Sequence, residues 1–154
     1  MSMQIEYTQE NLAKLKRIER EAYAGTGYMQ MQHCESWSDV AAYCECSLEN
    51  LHIAFINDGY IIAACHDGFM EVVDLASSGR NMNLFDAWEF LRELGKPMFL
   101  DAREKTSYRL IKGLERRGEI HIIEDISHDW DGETFHEIKC EFADLHRYYE
   151  PGRN

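Results

Sequence analysis

"LHIAFINDGYIIAACHDGFMEVVDL", residues 51–75, alternates three apolar runs with two short polar turns. The runs LHIAFI, YIIAAC and FMEVVDL have strand length and are rich in β-branched and aromatic side chains. Asp58-Gly59 and Asp67-Gly68 sit between them, and Asp-Gly is the dipeptide that accepts the positive φ of a tight hairpin. The stretch reads as a three-strand antiparallel meander.

Upstream the period changes from two to helical. Thr8 can cap a helix whose apolar positions are Leu12, Leu15, Ile18 and Ala22, with Gly25 and Gly27 ending it. Residues 28–37 read as irregular. Ser38 can cap a second, short helix carrying Val40, Tyr43 and Cys44. A further short strand at Gln4–Tyr7 is an option.

Downstream, "DLASSGRNMNLFDAWEFL" (74–91) is a strand end, a small polar loop and an amphipathic helix with Leu84, Ala87, Trp88, Leu91 and Leu94 on one face. Gly95 and Pro97 stop it. PMFLDA is a short buried strand. Thr106 can cap a fourth helix with Leu110, Ile111 and Leu114 inward and Gly118 past its end. EIHIIED and TFHEIKCEF are strands joined by a turn around Asp131 and Gly132. The order ααβββαβαββ suits an α/β (α+β) mixed sheet with helices on both faces. At 154 residues and 45% hydrophobic content the chain has the size of one domain, 1–154, with a real core.

Charge is unevenly spread. The net charge is −12. From Glu21 to Gly79 there is no Lys or Arg, while Glu21, Glu35, Asp39, Glu45, Glu49, Asp58, Asp67, Glu71 and Asp74 fall there. Arg103, Lys105, Arg109, Lys112, Arg116 and Arg117 cluster further on. An acidic surface disfavours nucleic acid and attracts cations; its ordinary reading is a solvated face that aids solubility. The longest apolar stretch, Tyr60–Cys65, is far too short to cross a membrane. Nothing has the form of a signal peptide. The five cysteines, Cys34, Cys44, Cys46, Cys65 and Cys140, include no CxxC pair and read as free thiols of a reducing compartment. A cytoplasmic protein is expected. His128, Asp129, Asp131 and His136 lie near one hairpin without metal-ligand spacing. They read as solvated turn residues, and no metal is expected.

Taken in order, LKRIEREAYAG, SWSDVAAYC and SYRLIKGLERRGEI around the meander resemble the GNAT superfamily of CoA-dependent N-acyltransferases, over roughly residues 4–142. The resemblance implies a central mixed, splayed sheet and acetyl-CoA as substrate. It implies that the loop after the third meander strand, the family's fourth strand, holds the CoA pyrophosphate on its amides. Here that loop reads Ala76-Ser77-Ser78-Gly79-Arg80-Asn81, in which only Gly79 fits the family pattern of Gln or Arg, two residues, Gly, one residue, Gly or Ala. The implied cofactor contacts are Leu75, Ser77, Ser78, Gly79, Arg80, Asn81 and Met82, with Arg109 on the fourth helix for phosphate. Gly79 permits close backbone approach, and a helix start concentrates unpaired N–H groups. The ordinary reading of SSG is a strand-to-helix turn.

The tyrosine that serves some family members as leaving-group acid is Leu114 here, counted four residues back from Gly118. Tyr108 lies nearly two turns upstream. Gly113 inside the same helix reads as tight helix–sheet packing or close approach of a ligand. For the amine's proton the candidates are Glu71 and Asp74, on opposite faces of their strand; the ordinary reading of each is an edge-exposed carboxylate.

Two functions follow. One is acetyl transfer from acetyl-CoA to a primary amine, small or on a protein, with the acidic stretch favouring a cationic acceptor. The other is a GNAT-like acidic protein that no longer catalyses and binds a protein partner as inhibitor or structural component, to which a bacterial or phage origin would be suited. Neither involves nucleic acid or membrane, and the oligomeric state is left open.

Overall fold

The computed structural model describes residues 3–78, 83–105 and 107–143. Helices α1 (Gln9–Ala22) and α2 (Trp37–Tyr43) and a short 3₁₀ turn (Leu48–Asn50) precede the meander β1 (Leu51–Ile56), β2 (Gly59–His66) and β3 (Phe69–Ser77). Then come α3 (Leu84–Leu94), β4 (Met98–Arg103), α4 (Ser107–Arg116), β5 (Ile120–Trp130) and β6 (Glu133–Phe142). The strands form one six-stranded mixed sheet in the order β1-β2-β3-β4-β6-β5. The element order expected from sequence holds. Gln4–Tyr7 makes a single antiparallel bridge, Gln4 to Ala54, rather than a strand.

The described residues fall into two compact units. The first runs to His66 and includes Val72–Glu93; the second comprises Asp67–Glu71 and the residues from Leu94 on. In the first, the stripe Leu12, Leu15 and Ile18 of α1 joins Val40 and Ala41 of α2 over Ile53, Ile62, Ala64 and Ala76 of the sheet. Trp37 locks the helices to the entering chain: its Nε1–H donates to the Thr8 carbonyl (2.8 Å) and its ring lies 4.8 Å from that of Tyr7. β2, between β1 and β3, is buried along nearly its whole length.

Two local expectations are corrected. Ser36, not Ser38, caps α2: its Oγ accepts from the Asp39 amide three residues on (3.1 Å), which puts Ser38 inside the first turn. The corner of the first hairpin is Asn57-Asp58, with Asn57 at φ 54° and Gly59 already paired to Ile56. Asparagine takes the left-handed region at little cost, so the glycine is not the residue that makes that turn.

In the second unit β3 and β4 run parallel, with Met70 opposite Met98 and Glu71 opposite Phe99. β4 and β5 both pair antiparallel with β6. The β5–β6 hairpin turns on Asp131 (φ 51°) and Gly132 (φ 76°), the double positive φ of a type I′ turn. β5 is longer than expected, because ISHDW continues the strand instead of forming the turn. Ile111 and Leu114 of α4 are buried, as expected; Thr106 lies outside the described residues. A Cβ at Gly113 would meet only the Arg116 guanidinium, at 3.9 Å. Tight packing against the sheet therefore does not require glycine there.

Candidate functional site

The feature that organises the first unit around chemistry is a carboxylate on β3. Asp74 accepts a hydrogen bond from Tyr23 on Oδ1 and one from Tyr60 on Oδ2, each at 2.6 Å. Tyr60 comes from the start of β2 and is fully buried. Tyr23 caps the C-terminus of α1, and its ring meets Tyr28 edge-on at 6.1 Å. Asp74 is partly buried, and burial pushes its carboxyl above the ordinary value; the two tyrosine hydrogen bonds pull the other way, and Glu19 adds to the rise. Burial and the charge of Asp74 push both tyrosines far above the usual phenol range. They stay protonated and act as donors. Asp74 is thus no edge-exposed carboxylate, as the ordinary reading held.

Glu19, one helical turn before Tyr23, is wholly buried. Its carboxylate accepts from the amides of Gln30 and Met31 and from the Gln32 side chain, all at 3.0 Å. The irregular segment after α1 is therefore pinned from that helix, with Lys16 donating to the Cys34 carbonyl (2.8 Å) and Arg20 to the Gln32 side chain (3.0 Å) as well. Positions i and i+4 share a helix face, so α1 turns Glu19 on the segment and Tyr23 on Asp74. Sequence reading missed Glu19, Tyr23 and Tyr60. The available signal was Glu19 itself: 12, 15, 19 and 22 continue the buried stripe, and a charge there demands partners.

The loop expected to hold the cofactor starts directly after Asp74. Leu75 and Ser77 lie in β3. Ser78 donates both its amide (2.9 Å) and its hydroxyl (3.0 Å) to the Asp58 carbonyl, so that amide is already engaged. Gly79, Arg80, Asn81 and Met82 lie outside the described residues. On their far side the Asn83 amide donates to Asn57 Oδ1 (3.1 Å), and Asn83 Oδ1 accepts from the Asp86 amide (3.3 Å) at the head of α3. Ser78 and Asn83 are thereby both tied to the same hairpin corner, Asn57-Asp58.

The other expected site residues belong to the second unit. Glu71 is partly buried on β3, in register with Phe99. Arg109 is exposed on α4. Arg103 forms an ion pair with Glu133. Leu114 is buried, and the Tyr108 hydroxyl donates to Asp125 at 2.7 Å.

That Tyr108–Asp125 bond belongs to a second polar cluster. His136 is buried on β6 and stacks flat on Tyr108, with centroids 3.6 Å apart. Its Nδ1 lies 2.7 Å from Asp125 and its Nε2 3.2 Å from Glu104. Burial works against its charge, but hydrogen bonds to the two carboxylates outweigh that and raise its pKa. Asp125 is lowered: its slight burial is overcome by hydrogen bonds from Tyr108 and His136 and by the imidazolium charge. His136 is not the solvated turn residue expected from sequence. Among the described residues no group of His, Cys, Asp and Glu is arranged to hold a metal ion, and no helix is long and apolar enough to cross a membrane.

Comparison with solved structures places this architecture. The chain superposes on a candidate GNAT-family acetyltransferase from Desulfovibrio desulfuricans with TM-score 0.55 at 10% identity, covering 90% of this chain and 96% of the other. It superposes on a candidate acetyltransferase from Salmonella typhimurium, solved with its cofactor acetyl-CoA, with TM-score 0.54 at 10% identity, over 90% and 92% of the two chains. The fold is that of the GNAT acetyltransferases. A candidate GNAT-family acetyltransferase from Bordetella pertussis gives TM-score 0.50 at 13% identity over 91% and 93%. No protein-family model matches the chain, and no curated protein matches it. On the GNAT fold, Asp74 occupies the strand that leads into the loop with Gly79.

Proposed function

We propose that this protein transfers an acetyl group from acetyl-CoA to a primary amine, with Asp74 as the carboxylate that serves the acceptor. The observation that carries this reading is the placement of Asp74, held by two protonated tyrosines, five residues before Gly79 on a GNAT fold. A structure of similar fold was solved with acetyl-CoA. In the reaction the amine nitrogen bonds to the acetyl carbonyl and the C–S bond breaks. The amine's proton passes to Asp74, directly or through water, and the CoA thiolate takes its proton from solvent. Neither Leu114, which is buried, nor Tyr108, whose hydroxyl is held by Asp125, offers a leaving-group acid. The rate then comes from holding amine and thioester in line. From the family resemblance, Gly79, Arg80, Asn81 and Met82 are assigned to the pyrophosphate and Arg109 to a phosphate.

The test is calorimetric titration with acetyl-CoA. Binding is expected, and Gly79→Val should weaken it at least tenfold with the fold intact. Failure to bind at millimolar acetyl-CoA would overturn the enzyme reading and leave the partner-binding one.

A further inference from the structure

We infer that Tyr23 and Tyr60 are positioning residues that fix the Asp74 carboxylate and aim its open lone pair at the ammonium of the acceptor. The inference rests on the acetyl-transfer reading above and names how that site recognises its amine. A carboxylate offers about four lone-pair positions. Tyr23 takes one on Oδ1 and Tyr60 one on Oδ2. The Leu75 amide also hydrogen-bonds the carboxylate, which leaves about one position for an N–H of a primary ammonium.

The surroundings say what is missing from such a carboxylate. Among the described residues, the groups acting on it are the hydroxyls of Tyr23 at the end of α1 and Tyr60 on β2, the Leu75 amide on its own strand, and the charge of Glu19 on α1. Tyr43 of α2 also feels its charge. None of these is a cation. Glu19 is spent on the 30–32 segment, and being an anion it adds to the rise instead of offsetting it. Desolvation alone would drive the carboxyl toward its neutral form, useless both for attracting an ammonium and for accepting its proton. Two tyrosine donors resist that change without supplying a counter-charge, so the remaining affinity is for a cationic ligand.

The fixed directions of the donors matter as much as their number. Tyr60 is set by its full burial on β2 and Tyr23 by the end of α1. The carboxylate plane is therefore fixed from two elements at once, and an amine docked on it approaches from one direction.

The experiment follows the Asp74 carboxyl by carbon-13 NMR in the full chain, titrating pH and then adding butylammonium chloride or, as a control without N–H groups, tetramethylammonium chloride. Tyr23→Phe keeps the ring and removes the hydroxyl at a partly exposed position; Tyr60→Phe repeats the test inside the sheet. In either variant the Asp74 midpoint should rise by about one pH unit, a tenfold change in proton affinity. Butylammonium should shift the Asp74 signal of the parent protein at lower concentration than tetramethylammonium, and Tyr23→Phe should weaken that response severalfold. An unmoved midpoint in a folded Tyr23→Phe protein overturns the inference. Equal responses to the two cations overturn it as well. Acetyl-CoA binding in a protein whose Asp74 ignores butylammonium removes the inference and spares the function. A selective butylammonium response without acetyl-CoA binding removes the function and spares the ammonium site.

Discussion

Asp74 in the first unit and Asp125 in the second are both hydrogen-bonded by a tyrosine hydroxyl, at 2.6 and 2.7 Å, yet their acidities move in opposite directions. Asp125 is little buried and has His136 as a cationic partner, so the charged form wins. Among the described residues Asp74 has two tyrosines and no cation; burial outweighs the hydrogen bonds, and the neutral form gains. A neutral donor tunes a carboxylate, whereas a counter-charge saturates it. The Asp125 cluster satisfies itself from α4, β5, β6 and Glu104 just after β4. The Asp74 cluster is left with affinity for a positive charge that the protein does not provide among the described residues. One reads as architecture and the other as a site.

The sharpest way to break this contrast is to remove each carboxylate in turn. Asp74→Asn should lower acetyl transfer about a hundredfold, the scale of a lost general base. Asp125→Asn should leave the rate per folded molecule near the parent's. Glu71→Gln should do little, since strand alternation turns it to the other face. Steady-state rates on the three variants decide it; a reversed order would assign the chemistry to the wrong cluster.

Next in size is the pH dependence of the second unit. His136 is raised above its ordinary 6.5, so the stability it contributes is complete below that value and is lost as pH climbs through the folded-state value. Asp125 is lowered from its ordinary 3.8; its contribution is present above that value and is lost as pH falls through the depressed one. Thermal melts of His136→Gln against the parent should differ by about 1–2 kcal/mol near pH 6, with the gap closing toward pH 9. A gap that stays constant would mean that packing on Tyr108, rather than charge, is what His136 supplies. Smaller again is Tyr108→Phe, which keeps the stacked ring and removes one donor to Asp125. A loss of about 0.5–1 kcal/mol is expected, with no change in acetyl transfer.

The meander was legible because period-two apolar runs between turn dipeptides leave little choice of structure, and the helices because Thr8, Leu12, Leu15 and Ile18 carry cap and stripe together. ISHDW was misread because an edge strand has no need of an apolar face: most of β5 beyond Ile120 is exposed, and polar residues there look like a turn. The Asp74 carboxylate was named from sequence, but its tyrosines were not. Tyr23 and Tyr60 lie 51 and 14 residues away, and nothing local marks a phenol whose partner arrives through the fold. His136 was hidden for the same reason, its partners Glu104, Tyr108 and Asp125 coming from three other segments. Ser36 and Ser38 flank Trp37 symmetrically enough that only the Asp39 amide distinguishes them.

The most direct test of the central claim is to incubate the protein with acetyl-CoA and a set of primary amines, including diamines, and to measure acetylated product by mass alongside release of the CoA thiol. The account predicts equal amounts of acetylamine and free CoA, formed catalytically and dependent on Asp74. Acetyl-CoA that binds but gives no product with any amine, or a product yield unchanged in Asp74→Asn, would contradict it.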